Sequence, residues 1–260
     1  MSVRPAVSCF ARSLFVLGCS LTIAACGAET DTSSNNQASC DPAKRSYAPP
    51  LSIDVSDFVT DLDAATPNPL FPLVAGTTQT YLGGGERIVV EVLPETRVVM
   101  GITARVVRDR VYIDGELYED TIDWYAQDKR GNVWYMGEET ADYENGAVVS
   151  TAGSWESGVQ GAQPGIYMWS DPRTRLDQAY FQEFWACKAE DQAKVIEVDK
   201  TVTVPSGTYQ GCMVTEDWNP LEGNASREHK TYCPGVGFVL ETKVATGSQV
   251  ALVEAVLPAR

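Results

Sequence analysis

Hydrophobic and polar residues alternate along most of the chain after residue 65, and this alternation predicts β-strands. A period of two places every second side chain on the same face of a sheet, so it is typical of a strand with one buried face. No segment after Ala65 shows the 3.6-residue repeat of an amphipathic helix over a helical length. The predicted strands are Glu86–Leu93, Arg97–Ile113, Glu116–Ala126, Asn132–Met136, Tyr180–Cys187, Val195–Val204, Cys212–Glu216, Val236–Lys243 and Gln249–Val256.

Turn-forming sequences between these segments predict consecutive β-hairpins. Asp114-Gly115 and Asn145-Gly146 favour two-residue turns. Asp128–Gly131 favours a type I turn that ends with glycine in the left-handed conformation. Hairpins in succession predict an antiparallel meander.

The register of the first hairpin contains one conflict. A two-residue turn at 114–115 places Arg110 opposite Glu119, which is a favourable pair. The same register places Asp109 opposite Asp120, which is unfavourable unless a β-bulge shifts the pairing.

The N-terminus has the features of a secretory signal. Arg4 and Arg12 accompany an apolar run over residues 13–23, without an acidic residue. The run is too short for a permanent membrane-spanning helix. The sequence Ile23-Ala24-Ala25-Cys26 resembles a bacterial lipobox, and the resemblance implies cleavage before Cys26 and attachment of diacylglycerol to its thiol. An ordinary signal peptide, cleaved nearby to give a soluble product, is the alternative.

Lipidation of Cys26 would make the membrane a partner through the lipid and place the protein in the cell envelope, facing the periplasm or the exterior. Gly27 is compatible with delivery to the outer membrane of a diderm bacterium. The predicted organisation is then a signal peptide (1–25), a lipidated flexible tether (26–50), a short helix and linker (51–67) and a β domain (68–260). The tether is rich in Ser, Asn, Ala and Pro, and Asp54 or Ser56 is the predicted cap of the helix.

Four cysteines remain after the signal peptide and Cys26 are set aside, and an even number in an exported chain predicts two disulfides. If the loop after residue 218 is symmetric about Glu222 and Gly223, Cys212 lies directly opposite Cys233, which predicts that pair. Elimination then pairs Cys40 with Cys187, which would attach the end of the tether to the body.

The formal net charge of −15 argues against nucleic acid as a partner, because phosphate binding needs a basic surface.

The single histidine, His229, lies between two charged residues and is expected to be solvated, so no catalytic residue is predicted. Gly83–Gly85 precedes no helix and is not a phosphate-binding loop. No cofactor and no metal are predicted, because the following acids lack the spacing of a helix–loop–helix calcium site: Asp123, Asp128, Glu138, Glu139, Asp142 and Glu144.

Four sequence strings together resemble a group of bacterial secreted proteins and lipoproteins that have no established activity. The strings are Asn68–Thr78 with its GTT, Asp123–Tyr135 with YAQD and GNVWY, Thr201–Tyr209 with TVTVPSGTY, and Tyr232–Phe238 with PGVG. The resemblance covers about residues 68–256. It implies a single antiparallel sheet curved into a half-barrel or barrel, similar in outline to lipoprotein-carrier proteins, and it supplies no catalytic residues.

The most aromatic part of the chain lies between residues 155 and 185. In a curved sheet these side chains could line a concave apolar face that binds a lipid, a glycan or an envelope protein. The alternative is that they fill the core. The candidates for such a face are Trp155, Tyr167, Trp169, Phe184 and Trp185.

The sequence therefore favours a non-catalytic, lipid-anchored envelope protein that binds a hydrophobic or extended ligand, or an envelope partner, on this face. One alternative is an envelope hydrolase or lyase that uses carboxylates in the same concavity. Another is a purely structural interaction lipoprotein with a filled interior.

Overall fold

The computed structural model describes residues 40–47, 49 and 51–258. The predicted signal peptide, Cys26 and most of the predicted tether lie outside the described residues. Within them the helical segments are short 3₁₀ turns at Pro42–Lys44, Val55–Asp57, Pro172–Arg175 and Gly223–Ser226. None of these is long and apolar enough to span a bilayer. The strands are β1 (Thr78–Gly83), β2 (Glu86–Val99), β3 (Ile102–Ile113), β4 (Glu116–Gln127), β5 (Val133–Glu144), β6 (Ala147–Ser150), β7 (Trp155–Glu156), β8 (Gln163–Met168), β9 (Ala179–Phe181), β10 (Glu183–Phe184), β11 (Gln192–Val204), β12 (Gly207–Trp218), β13 (Glu228–Cys233), β14 (Gly237–Lys243) and β15 (Gln249–Val256).

These strands form one sheet that closes almost completely on itself. Their order is β10-β8-β5-β4-β3-β2-β1-β15-β14-β13-β12-β11-β9, and β6 and β7 pair with β5 outside this path. The two strands at the ends of the sheet are consecutive in the chain and are separated only by Gln182. Because β10 pairs with β8 and β9 pairs with β11, this one segment joins both ends. The predicted all-β fold, a single curved antiparallel sheet, is confirmed.

The first predicted hairpin forms with a register that resolves its charge conflict. A β-bulge next to the turn shifts the pairing by one residue. Arg110 therefore lies opposite Asp120 rather than opposite Glu119, as the simple turn predicts, and Asp109 lies opposite Thr121. The bulge removes the pair of like charges, and Arg110 still lies opposite an acidic residue.

Asp128 organises the second predicted turn. Its Oδ1 accepts hydrogen bonds from the backbone N–H groups of Arg130 and Asn132. Its Oδ2 accepts from the side-chain amide of Asn132 and from the indole N–H of Trp134. Gly131 closes the turn at φ 88°, the left-handed conformation that glycine adopts without strain. The predicted pairing of aromatic residues follows, with Tyr125 opposite Tyr135.

Two predicted strands are divided in the structure. The segment Arg97–Ile113 turns back at Met100 and Gly101, both at positive φ, so that it contributes to β2 and β3. The turn shifts the alternation by one residue, with Met100 and Gly101 both exposed between the buried Val99 and Ile102. The sequence analysis overlooked this shift, because the segment is apolar on both sides of the turn. Tyr180–Cys187 is likewise interrupted at Gln182 and forms β9 and β10.

The predicted short helix is reduced to one 3₁₀ turn, Val55–Asp57. The predicted cap is present, because the Asp54 side chain accepts a hydrogen bond from the Ser56 N–H. The chain then extends, with Val59 N–H donating to the Gln127 carbonyl and Lys129 N–H donating to the Asp57 carbonyl. These bonds to the end of β4 replace the hydrogen bonds of a continuing helix.

Both predicted disulfides are confirmed. The register of β12 and β13 pairs Met213 with Tyr232, so that Cys212 and Cys233 face each other with their Cα atoms 4.2 Å apart. Cys40 is bonded to Cys187 with a Cα–Cα distance of 5.7 Å. The second bond attaches the N-terminal segment to the barrel.

Asn68 joins the segment before β1 to the barrel. Its side-chain amide donates hydrogen bonds to the carbonyls of Gly131 and Trp169. Its Oδ1 accepts from the N–H groups of Leu70 and Phe71. One buried side chain thereby fixes the approach to β1 against the β4–β5 turn and the end of β8.

We expect Asp128→Asn to lower the free energy of unfolding by about 2–3 kcal/mol. The amide nitrogen would face the Asn132 amide and the Trp134 indole, so two buried donors lose their acceptor. Asp114→Asn, on an exposed turn residue that asparagine tolerates at φ 51°, serves as the matched control and should change stability by less than about 0.5 kcal/mol. Urea unfolding midpoints measure both, and equal midpoints for the two variants would refute the role of Asp128.

Candidate functional site

Most of the predicted aromatic face is part of the barrel core. Trp155, Tyr167, Trp169 and Phe184 are buried, and Trp185 is half-buried beside them. Trp155, Tyr167 and Trp169 belong to the core cluster. Phe184 lies on the other face of β10 from the interior Glu183 and packs under Tyr47 of the N-terminal segment.

Each of the four buried rings is in contact with other rings. The Tyr167 ring lies 4.7 Å from Phe71, 4.9 Å from Tyr125 and 6.4 Å from Tyr232, measured between ring centroids. The remaining contacts pair Trp155 with Tyr135, Trp169 with Tyr180, and Phe184 with both Phe181 and Tyr47. These aromatic side chains are therefore covered by other rings of the protein and do not form an open surface.

The interior also contains many acidic side chains, which the sequence analysis missed. The signal was present in the alternation, since Asp109 shares its face of β3 with the buried residues Val107 and Val111. Buried basic residues among the described ones are Arg105 and Lys230. The buried acids of the barrel strands and of the loop before β11 are Glu86, Asp109, Glu119, Asp123, Glu138, Glu183, Glu190, Asp191, Asp217, Glu228 and Glu241.

Asp123 and Glu138 lie on the facing strands β4 and β5. The Tyr135 hydroxyl donates a hydrogen bond of 2.6 Å to Asp123 Oδ1. Burial nevertheless raises the pKa of Asp123 to about 7, with a further increase from the charge of Glu119. The pKa of Glu138 is raised well above its usual value by burial and by the charges of Glu183 and Asp123. These carboxyl groups therefore favour the protonated form when the barrel is closed.

Lys230 lies in β13, which is far from β4 and β5 in the strand order, and it is surrounded by acids. Its Nζ is 3.5 Å from Asp217 Oδ2 and 3.8 Å from Glu228 Oε2. Burial alone would lower the pKa of Lys230, but the negative charges of Asp217 and Glu228 outweigh it and raise the pKa. Burial raises the pKa of Glu241 to about 8, which the positive charge of Lys230 opposes. One buried ammonium group is thus shared by several carboxyl groups.

The candidate calcium ligands are divided between the two faces of the sheet, and the histidine lies outside the barrel. Glu138 is directed into the barrel, whereas the next residue, Glu139, is exposed on the outside. His229 lies opposite Glu216 on the outer face, with its Nε2 3.7 Å from the carboxylate. Among the residues that the structure describes, one group of three potential metal ligands has its donor atoms within 4.8 Å of one another, Cys40, Cys187 and Glu190. The two sulfurs of that group are bonded to each other and cannot act as thiolate ligands.

The N-terminal segment forms a second structured region on the barrel. In addition to the disulfide of Cys40, Arg45 forms an ion pair of 2.6 Å with the buried Glu190. The Tyr47 hydroxyl donates to the Pro164 carbonyl, and its ring stacks on Phe184 at 5.2 Å between centroids. The end of the predicted tether is therefore docked on the barrel.

Comparison with known proteins does not assign the chain to a family. No protein-family model matches the chain, and no curated protein matches it. A crystal structure of a Bacteroides fragilis protein, described as exported and as having a YmcC-like fold, is similar with a TM-score of 0.42 and 15% identity. The similarity covers 72% of this chain and 99% of that one. The two disulfides themselves indicate folding in an oxidising compartment outside the cytoplasm.

The interior acids give the stability of the barrel a defined pH dependence. The pKa is about 7 for Asp123 and about 8 for both Glu183 and Glu241, and burial is the largest cause in each. A carboxyl group with a higher pKa in the folded chain binds more protons there than in the unfolded chain. The free energy of unfolding should therefore fall as the pH rises from about 5 to about 8.

Asp123→Asn tests this expectation in chemical denaturation series at several pH values. Asparagine cannot ionise, so the slope between about pH 5 and pH 7 should become shallower by up to about 1.4 kcal/mol per pH unit. The exposed Asp114→Asn control should leave the slope unchanged. A free energy of unfolding that is constant or rises across this pH range would contradict the raised pKa values of the interior acids.

Proposed function

We propose that this protein is a lipid-anchored protein of the bacterial cell envelope that acts by binding an envelope partner, without catalysis. The observation that carries the proposal is the packing of the barrel interior. The buried aromatic residues that would form a ligand face are already covered by other rings of the protein. A partner is then bound by the outer surface and the loops, and the barrel supplies a rigid support.

The N-terminal sequence supports the anchor. The basic residues, the apolar run and the lipobox-like sequence ending at Cys26 occur in the order that lipoproteins require. Cys40 is the first residue that the structure fixes to the barrel. If the intervening chain is the flexible coil that its composition predicts, about 14 residues of it span about 20 Å. The barrel would then be held close to the membrane but not against it.

The acidic surface fits a body that stands off the bilayer. The formal net charge of the chain is −15, and membrane surfaces are usually anionic. Repulsion between the two leaves membrane attachment to the lipid. Gly27 after the acylated cysteine supports outer-membrane delivery in a diderm host.

A hydrolase or lyase in the same concavity is less well supported. General acid–base catalysis needs carboxyl groups within hydrogen-bonding distance of a substrate. Asp109, Asp123 and Glu138 are at most 3% exposed. A substrate could reach them only after the barrel opened.

Cys26→Ala should move the protein from the detergent-rich phase to the aqueous phase when the membranes are extracted with a detergent that separates on warming. Loss of the thiol removes the site of acylation, and the mass of the N-terminal peptide should show the loss of the lipid. Cys19→Ala, which changes the same residue type within the apolar run, is the control and should retain the lipid. Wild-type protein in the aqueous phase, or Cys26→Ala protein that still carries lipid, would refute the anchor.

Native mass spectrometry separates partner binding from ligand carriage. The soluble Cys26→Ala protein, purified from its own host, should have the mass of the bare processed chain, because its aromatic interior is filled by its own side chains. A lipid or glycan that co-purifies in a one-to-one ratio and raises the melting temperature would instead establish carriage in the barrel. That outcome would overturn the proposed mode of action while leaving the anchor intact.

A further inference from the structure

The barrel closes through a short and incomplete set of strand pairs. β10 pairs with β8 through two residues, Glu183 with Pro164 and Phe184 with Gln163, and β9 pairs with β11 through three. Pro164 has no N–H and cannot donate to the ladder. We call this region, formed by β8, β9, β10 and the start of β11, the seam.

The chain crosses β8 very closely at the seam. A side chain at Gly165 would lie 2.3 Å from the carbonyl carbon of Gln182 and 2.4 Å from the carbonyl oxygen of Phe181. Any residue larger than glycine would therefore push the closing segment outward. Closure therefore includes a close backbone contact at this point.

Residues 40–47 lie across the seam and contact the segments on both sides of it. Tyr47 donates to the Pro164 carbonyl of β8, and its ring contacts Phe181 of β9 and Phe184 of β10. Arg45 pairs with Glu190, just before β11. Cys40 is bonded to Cys187, which lies in the loop between β10 and β11. We call residues 40–47 the strap.

The closed seam covers acidic residues that prefer water. Glu183 in β10 and Asp191 before β11 are both buried, and burial raises the pKa of each. The charge of Glu183 raises the pKa of Asp191 further. The N–H of Gln182 donates a 2.8 Å hydrogen bond to the Asp191 carbonyl, which keeps these segments together. The groups that face them include Asp123, Glu138, Asp217, Glu222 and Lys230, so opening would hydrate a strongly acidic interior.

The two disulfides differ in their access to solvent. Cys40 is exposed and Cys187 is half-buried. Cys212 and Cys233 are completely buried between adjacent strands. A reductant in solution can therefore reach the bond in the strap first.

We propose that the strap is a redox-controlled lock on the barrel, and that reduction of Cys40–Cys187 by a dithiol allows β9 and β10 to open. A thiolate of the dithiol attacks one sulfur of the bond and forms a mixed disulfide. The second thiol of the same molecule then displaces the protein sulfur. Two electrons and two protons are transferred in total, so Cys40 and Cys187 become thiols and the dithiol becomes its own disulfide.

Hydrogen exchange followed by mass spectrometry tests the lock on the full-length protein in detergent micelles. After treatment with dithiothreitol, peptides covering residues 179–184 should exchange about tenfold faster, whereas peptides from β3 and β4 should not change. Alkylation should label Cys40 and Cys187 but not Cys212 or Cys233. The double variant Cys40→Ser, Cys187→Ser should show the faster exchange without reductant and should not respond to it.

Tyr47→Ala tests whether the noncovalent contacts of the strap, and not only its disulfide, hold the seam closed. It leaves the disulfide in place but removes the contacts with Pro164, Phe181 and Phe184, so exchange at 179–184 should rise there by a smaller factor. Tyr143→Ala, on a half-buried tyrosine of the β5–β6 hairpin, is the matched control and should leave the seam unchanged. The proposal is overturned if reduction leaves exchange at 179–184 unaltered or accelerates it equally throughout the barrel. It is also overturned if Tyr47→Ala has no effect, or if Cys212 and Cys233 are labelled first.

Discussion

The architecture depends on the pairing of one six-residue segment, Ala179–Phe184, with both ends of the meander. A sheet that closes has no long unpaired edge, and its inner face is shielded from water without the help of a second layer. The alternation within β3, β4 and β5 then determines which residues are interior. The aromatic core and the buried acids are both consequences of that closure.

The sequence alone was sufficient to predict the features that depend on residues close together in the chain. Asp114-Gly115 and Asn145-Gly146 fix their hairpins through residues that accept positive φ, and the symmetry of one loop was enough to pair Cys212 with Cys233. Closure was not predictable in the same way. Alternation predicts one strand over Tyr180–Cys187 and does not show that it divides into β9 and β10, which pair with opposite ends of the sheet. They form because β8 and β11 are already in place on either side.

The alternation places the interior acids on the buried face, but it does not show that they lose their contact with water. Asp109 and Asp123 occupy positions whose neighbours on the same face are apolar, but an open half-barrel would leave such positions in contact with water. Only in the closed sheet do they lose their solvation and retain protons near neutral pH. The formal net charge of −15 counts each of them as ionised, so the folded chain is less negative than that figure.

The bond between Cys40 and Cys187 also has a mechanical consequence. A pull on the chain that precedes Cys40 passes through this covalent bond into the loop between β10 and β11. The ion pair of Arg45 and the ring contacts of Tyr47 lie beyond the branch point, so they carry little of the load. Tension applied at the N-terminus is therefore delivered to the weakest-paired part of the barrel, and the rest of the sheet is spared.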